Sequence, residues 1–141
     1  MKHLKLLILA ISLCLLPKIA NAQVIELSET QLFEKVAAGY DRQFPYKGDK
    51  PCILLFHNGT CPYAKRIANS LESLSRQYQG KVYFYKVNLW NLSDNTLMNF
   101  QIEGSPTTFF FRIDGTGDYL QGPLNKEDLE EGIDYLLKVY N

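Results

Sequence analysis

The chain predicts an α/β domain of three layers, a mixed sheet with helices on both faces. Three observations carry that reading. Strand-like and helix-like segments alternate through most of the chain, the arrangement of a largely parallel sheet with covering helices. The run Ile53-Leu54-Leu55-Phe56 is apolar at every position, as expected of a strand buried on both faces. A hairpin signal, Asp114-Gly115 with Gly117, comes late and adds an antiparallel pair before a last helix.

Residues 1–22 carry Lys2, His3 and Lys5, then an apolar run from Leu6 to Leu16, and end on Ala20-Asn21-Ala22. That succession predicts a secretory signal peptide cut near Ala22. The apolar run falls short of the ~20 residues of a spanning helix. Cys14 offers a lipoprotein alternative, disfavoured by the bulky Leu13 before it and the apolar residues after it. Removing residues 1–22 leaves 119 of the 141 residues, enough for one core and too few for two. The leader takes three of the fifteen basic residues and none of the fifteen acids, so the mature domain, 23–141, carries a net charge of −3. No basic cluster marks it for nucleic acid. Its one histidine and two cysteines are too few for a closed zinc site or a disulfide framework, so no metal and no cofactor are expected.

Within the domain, Val24 to Leu27 is a short strand candidate. Ser28 and Gln31 stand at capping-box spacing before Leu32, Phe33, Val36 and Ala37, predicting a helix of about 10 residues. Residues 40–50 have turn chemistry and feed the buried strand at 52–57. A helix follows in which Ile67, Ala68, Leu71, Leu74, Ser75 and Tyr78 share one face, ending near Gln79-Gly80. Val82 to Asn88 is β-rich, and Ser93 caps a short helix holding Leu97, Met98 and Phe100. Gly104-Ser105-Pro106 leads into a strand at 107–112, the hairpin returns through 118–121, and Gly122-Pro123 breaks the chain. Asn125 and Asp128 open a last helix with Leu129, Ile133, Leu136, Leu137 and Tyr140 on one face.

Cys61 carries the chemistry. It sits where the turn His57-Asn58-Gly59-Thr60 meets the central helix, so its sulfur lies among unpaired N–H groups at the positive end of the helix dipole, which favours the thiolate. A thiolate there attacks a disulfide and forms a mixed disulfide. Cys52 is not its partner, because five strand residues at ~3.3 Å each separate the two by ~17 Å and a disulfide needs Cα atoms within ~7 Å. Cys52 reads as a small buried apolar residue. His57 reads either as a polar turn residue or as a tuner of the Cys61 thiol. Pro62 suits a first helical turn, and Tyr63 either packs on a substrate or covers surface. Trp90 reads as core or rim.

The stretch Leu54-Leu55-Phe56-His57-Asn58-Gly59-Thr60-Cys61-Pro62-Tyr63-Ala64-Lys65-Arg66-Ile67-Ala68 resembles the active-site segment of the thioredoxin family. Lys86-Val87-Asn88 resembles that family's next strand, and Gly104-Ser105-Pro106-Thr107 stands where the family has its cis-proline loop. The resemblance implies a thioredoxin fold over residues 23–141. It also implies that Ser105 and Pro106, with Pro62 and Tyr63, bind substrate beside a catalytic Cys61. Two departures qualify it. The family's Cys-x-x-Cys is here Cys61-Pro62-Tyr63-Ala64, and the family's buried acid aligns with Leu55. The resolving thiol and the acid that serves it are both replaced.

The function expected is that of an exported monothiol protein exchanging thiols and disulfides through Cys61, or isomerising them, on exported protein partners. Release of its mixed disulfides falls to the partner's second thiol or to an external thiol reductant. The alternative is a non-catalytic thioredoxin-fold module that binds exported proteins. A monomer is expected, in the periplasm or secreted. Asn58-Gly59-Thr60 and Asn91-Leu92-Ser93 are formal glycosylation acceptors, and a glycan on Asn58 would crowd Cys61, which disfavours a eukaryotic secretory route.

Overall fold

The computed structural model describes residues 23–138. The predicted signal peptide at 1–22, its Cys14 and the Tyr140 position of the last helix lie outside the described residues. Five strands form one sheet: β1 (Ile25–Glu26), β2 (Cys52–His57), β3 (Tyr83–Asn88), β4 (Thr107–Phe111) and β5 (Gly117–Gln121). Their order across the sheet is β1-β3-β2-β4-β5. The first three are mutually parallel, while β4 runs antiparallel to β2 and β5 antiparallel to β4. The helices are α1 (Glu29–Lys35), α2 (Pro62–Gln77), α3 (Asp94–Asn99) and α4 (Lys126–Lys138), with a 3-10 turn at Leu89–Asn91.

β2 is the central strand, and its alternation divides the core. Ile53 and Leu55 face one side with Phe84 and Phe110, where Ile67, Leu71 and Leu74 of α2 and Leu129, Ile133 and Leu136 of α4 cover them. Cys52, Leu54 and Phe56 face the other with Tyr85, Val87, Phe109 and Phe111, beneath Leu32 of α1 and Phe100 after α3. A strand buried on both faces has no polar position to spare, which is why 53–56 reads as one apolar run.

The predicted elements are present, several ending one residue early and two of them clearly shorter than expected. β1 keeps only Ile25 and Glu26 of the four residues proposed. The capping box of α1 forms as read, with the Ser28 hydroxyl accepting from the Gln31 N–H at 3.2 Å and the Gln31 side chain accepting from the Ser28 N–H at 3.0 Å. The helix nevertheless stops after seven residues, because Val36 turns out of helical geometry and its carbonyl accepts from the Lys47 N–H. Val36 and Ala37 are buried in the same core cluster as Leu32 although they lie beyond the helix, so their apolar spacing mimicked one more turn. Phe100 caps α3 from just outside it, and Met98 is exposed.

Candidate active site

β2 ends at His57, and four residues turn the chain into α2. Gly59 takes φ +80, a left-handed backbone that favours glycine. Asn58 holds this turn together. Its side-chain Oδ1 accepts from the N–H of Thr60 at 3.1 Å and of Cys61 at 2.8 Å. Its own N–H donates to the Ser105 hydroxyl at 3.3 Å, and its carbonyl accepts from the Trp90 indole Nε1–H at 2.9 Å. Three segments distant in sequence are thereby fixed around one residue.

Cys61 is the N-cap of α2, with Pro62 opening the helix where a missing N–H costs nothing. The sulfur is partly exposed and lies 4.0 Å from the Ser105 carbonyl. Its thiol is held below the usual range, first by the backbone N–H of Ala64, with burial opposing and then the Tyr63 N–H and the Ser105 hydroxyl assisting. Donors aimed at the sulfur favour its charged form, whereas the Ser105 carbonyl can only accept from the neutral thiol. At the other end of β2, Cys52 is fully buried, and burial pushes its thiol up to about 12. Both thiols are free.

The Ser105–Pro106 peptide bond is cis. Pro106 is buried, and its carbonyl accepts from the Gly122 N–H at 2.9 Å, tying this loop to the turn after β5. Of the proposed site residues, Cys61, Ser105 and Pro106 therefore converge. Pro62 is exposed at the helix start. Tyr63 is half exposed, with the Arg66 guanidinium 5.9 Å from its ring centre, and lines a different surface with Pro123 and Leu124.

Among the described residues, the hydrogen bonds of His57 go to Gly59 and Glu26 and not to the Cys61 sulfur. Its Nδ1 accepts from the Gly59 N–H at 3.1 Å, which places the proton on Nε2, 3.0 Å from a Glu26 carboxylate oxygen. The same carboxylate is 3.7 Å from Lys86 Nζ. Leu55, where the resemblance puts an acid, is fully buried, and its neighbour across the strands is Lys86. Between β3 and the first turns of α2 lies a hollow of about 160 Å³, lined by His57, Gly59, Cys61, Ala64, Lys65, Ala68 and Lys86. On the other flank, Trp90 stands 79% exposed above a groove shared with Asn58, Ile102, Gly104 and Ser105.

Asn58, Trp90 and Glu26 were not read from the sequence as site residues. Asn58 and Trp90 meet partners 47 and 32 positions away, a relation no local pattern carries. The one available signal was an Asx residue two and three positions before backbone N–H groups in need of an acceptor.

The thioredoxin family model matches residues 27–135. A thioredoxin of Borreliella burgdorferi is 28% identical over 90 residues, covering 64% of this chain and 76% of that protein. The chloroplastic thioredoxin M4 of Arabidopsis thaliana is 29% identical over 118 residues, 84% of this chain. The chloroplastic M-type thioredoxin of Pisum sativum is 29% identical over 86 residues, 61% of this chain. The matches span about half the length of the two plant proteins, 56% and 49%. Among solved structures, that of chloroplastic thioredoxin z superposes with a TM-score of 0.68 at 21% identity, over 82% of this chain and 96% of that one, a likeness of fold.

Proposed function

Because the chain belongs to the thioredoxin family of redox proteins, whose substrates in general are proteins bearing thiols, we propose that it is an exported monothiol member acting through Cys61. The observation that carries this reading is one sulfur, partly exposed at the start of α2, served by the Ala64 and Tyr63 N–H groups and set against Ser105. The Cys61 thiolate attacks one sulfur of a partner disulfide. The partner's S–S bond breaks, a new one forms to Cys61, and the second partner sulfur leaves as a thiolate that takes up a proton. Ser105 supplies backbone groups to an extended substrate segment next to the sulfur. With Ala64 in the fourth motif position, the mixed disulfide is released by the partner's own second thiol, which isomerises it, or by an external thiol.

The test is the rate of alkylation at the Cys61 peptide of the full chain, followed by mass spectrometry across pH. The expected midpoint lies below the ~8.5 of a free thiol. A midpoint at or above that value removes the reading. The replacements at Ala64 and Leu55 favour a second one, a binding module without redox chemistry. It takes precedence if Cys61→Ser captures exported partners as well as the wild type does.

A further inference from the structure

We infer that the hollow between Cys61, Ala64, Lys65 and Lys86 binds a zwitterionic, amino-acid-sized thiol, which enters there to release substrates from Cys61. The inference rests on the proposed redox role of Cys61 and adds the identity of the external thiol and its place of entry. Position comes first. In the sheet, β2 lies between β3 and β4. Ser105, directly before β4, flanks the Cys61 sulfur on one side, while the hollow opens on the β3 side through Lys86. Thiol–disulfide exchange needs the entering, central and leaving sulfurs in a line. A substrate sulfur held on the Ser105 flank leaves the opposite flank for the entering thiol, and Cys61 itself lines the hollow there.

Size comes next. About 160 Å³ is room for about five waters at ~30 Å³ each, and well below the ~300 Å³ at which pockets begin to take larger ligands. An amino-acid-sized thiol fills it, whereas a tripeptide extends beyond it into solvent. Ala64 lines the hollow and is buried, and its side chain stops at Cβ, which leaves this space. Charge then selects among small thiols. Lys65 is exposed and has no ion pair among the described residues, and Lys86 is 3.7 Å from Glu26. A carboxylate is attracted to Lys65 and Lys86, and an ammonium group to the Glu26 carboxylate, which reaches two lining residues, His57 at 3.0 Å and Lys86 at 3.7 Å. A thiol carrying both groups satisfies both signs.

The step balances without a further oxidant. The small thiolate attacks the Cys61 sulfur, the bond to the substrate breaks, and the substrate leaves as a thiolate that takes the proton the small thiol gave up. A second small thiolate then attacks the bound small thiol, forming the small-molecule disulfide and returning Cys61 as thiolate. Two thiols are oxidised and one substrate disulfide is reduced.

The experiment uses the full chain carrying Cys14→Ser, with Cys61 loaded as its mixed disulfide with 2-nitro-5-thiobenzoate. Release of the coloured thiolate is timed with L-cysteine, N-acetylcysteine, cysteine methyl ester and glutathione. Each rate is divided by that thiol's rate on a small aromatic disulfide in solution. Cysteine is expected to saturate and to exceed each of the other three by about tenfold after this correction. Lys65→Gln and Lys86→Gln are each expected to raise its half-saturating concentration about three- to fivefold. Rates that rise linearly for all four thiols, keep the solution order and ignore both lysine changes would overturn the inference while leaving Cys61 reactive. Failure of Cys61 to take the label at all overturns it together with the redox role.

Discussion

Cys52 pairs across the sheet with Tyr83 on one side and Phe111 on the other, and no solvent reaches its sulfur. Cys61, one turn beyond the far end of the same strand, is surrounded by backbone donors. One thiol is thus pushed up by burial and the other held down by N–H groups, and the difference has a pH signature. The unfolded chain gives up the Cys52 proton near pH ~8.5, whereas the folded chain holds it to about 12. As the pH climbs above ~8.5 the unfolded state sheds that proton first and is favoured, by up to ~1.4 kcal/mol per pH unit. Cys61 works in the opposite sense. Its stabilising share is complete above the unfolded-state value and fades as the pH falls through its own lowered one. Urea unfolding between pH ~8 and ~9, below the ~10 at which unfolded tyrosines are half ionised, should show the start of the declining limb, and Cys52→Ala should make it shallower. An unchanged slope in that variant would mean that Cys52 is not its source.

Among the elements, α3 is the one whose ending departs from local preference. The Gln101 N–H donates to the Met98 carbonyl at 3.0 Å and the Ile102 N–H to the Leu97 carbonyl at 2.9 Å, the paired bonds of a Schellman turn. The residue at its left-handed position is Gln101, at φ 56, and not a glycine. Gln101→Gly should therefore raise stability by about 0.5–1 kcal/mol, read as a higher urea midpoint at unchanged slope. The start of α3 is tied to α1, for Glu29 accepts from the Ser93 N–H at 2.9 Å and from the Ser93 and Thr96 hydroxyls. These bonds hold the Glu29 carboxyl below its usual range, Ser93 contributing most. That share of stability is present above the unfolded value of ~4.3 and is lost as the pH falls through the lowered one. Element starts were legible in the sequence where a cap and its partner lie within three residues, as at Ser28 with Gln31 and at Asn125 with Asp128. Element ends were less so. Val36 and Ala37 continue the apolar spacing of α1 although a loop residue, Lys47, bonds to Val36 and ends the helix.

For the molecule as a whole, the layered architecture followed from the alternation of elements and the unbroken apolar run of β2. The sheet order, with β3 and β4 flanking β2, was not read from the sequence, because it is set by pairings between strands distant along the chain. The thiol, the proline loop and the missing second cysteine were legible because each is a matter of residue type at a position. The scaffold around them was not, because Asn58 acts through partners on the 3-10 turn and before β4. Trp90 is the point at which this arrangement meets solvent, and it is the single tryptophan of the chain. Its indole is anchored to the turn that carries Cys61. Under excitation selective for indole, the protein's emission consequently originates at one spot, bonded to the turn that leads into Cys61. Loading Cys61 with a disulfide partner should dim that emission, and a reducing thiol should restore it. The change should vanish in Trp90→Phe, and emission indifferent to the state of Cys61 would show that the indole does not sense the bound partner. With no added dye, a fluorimeter follows each capture and release as it happens.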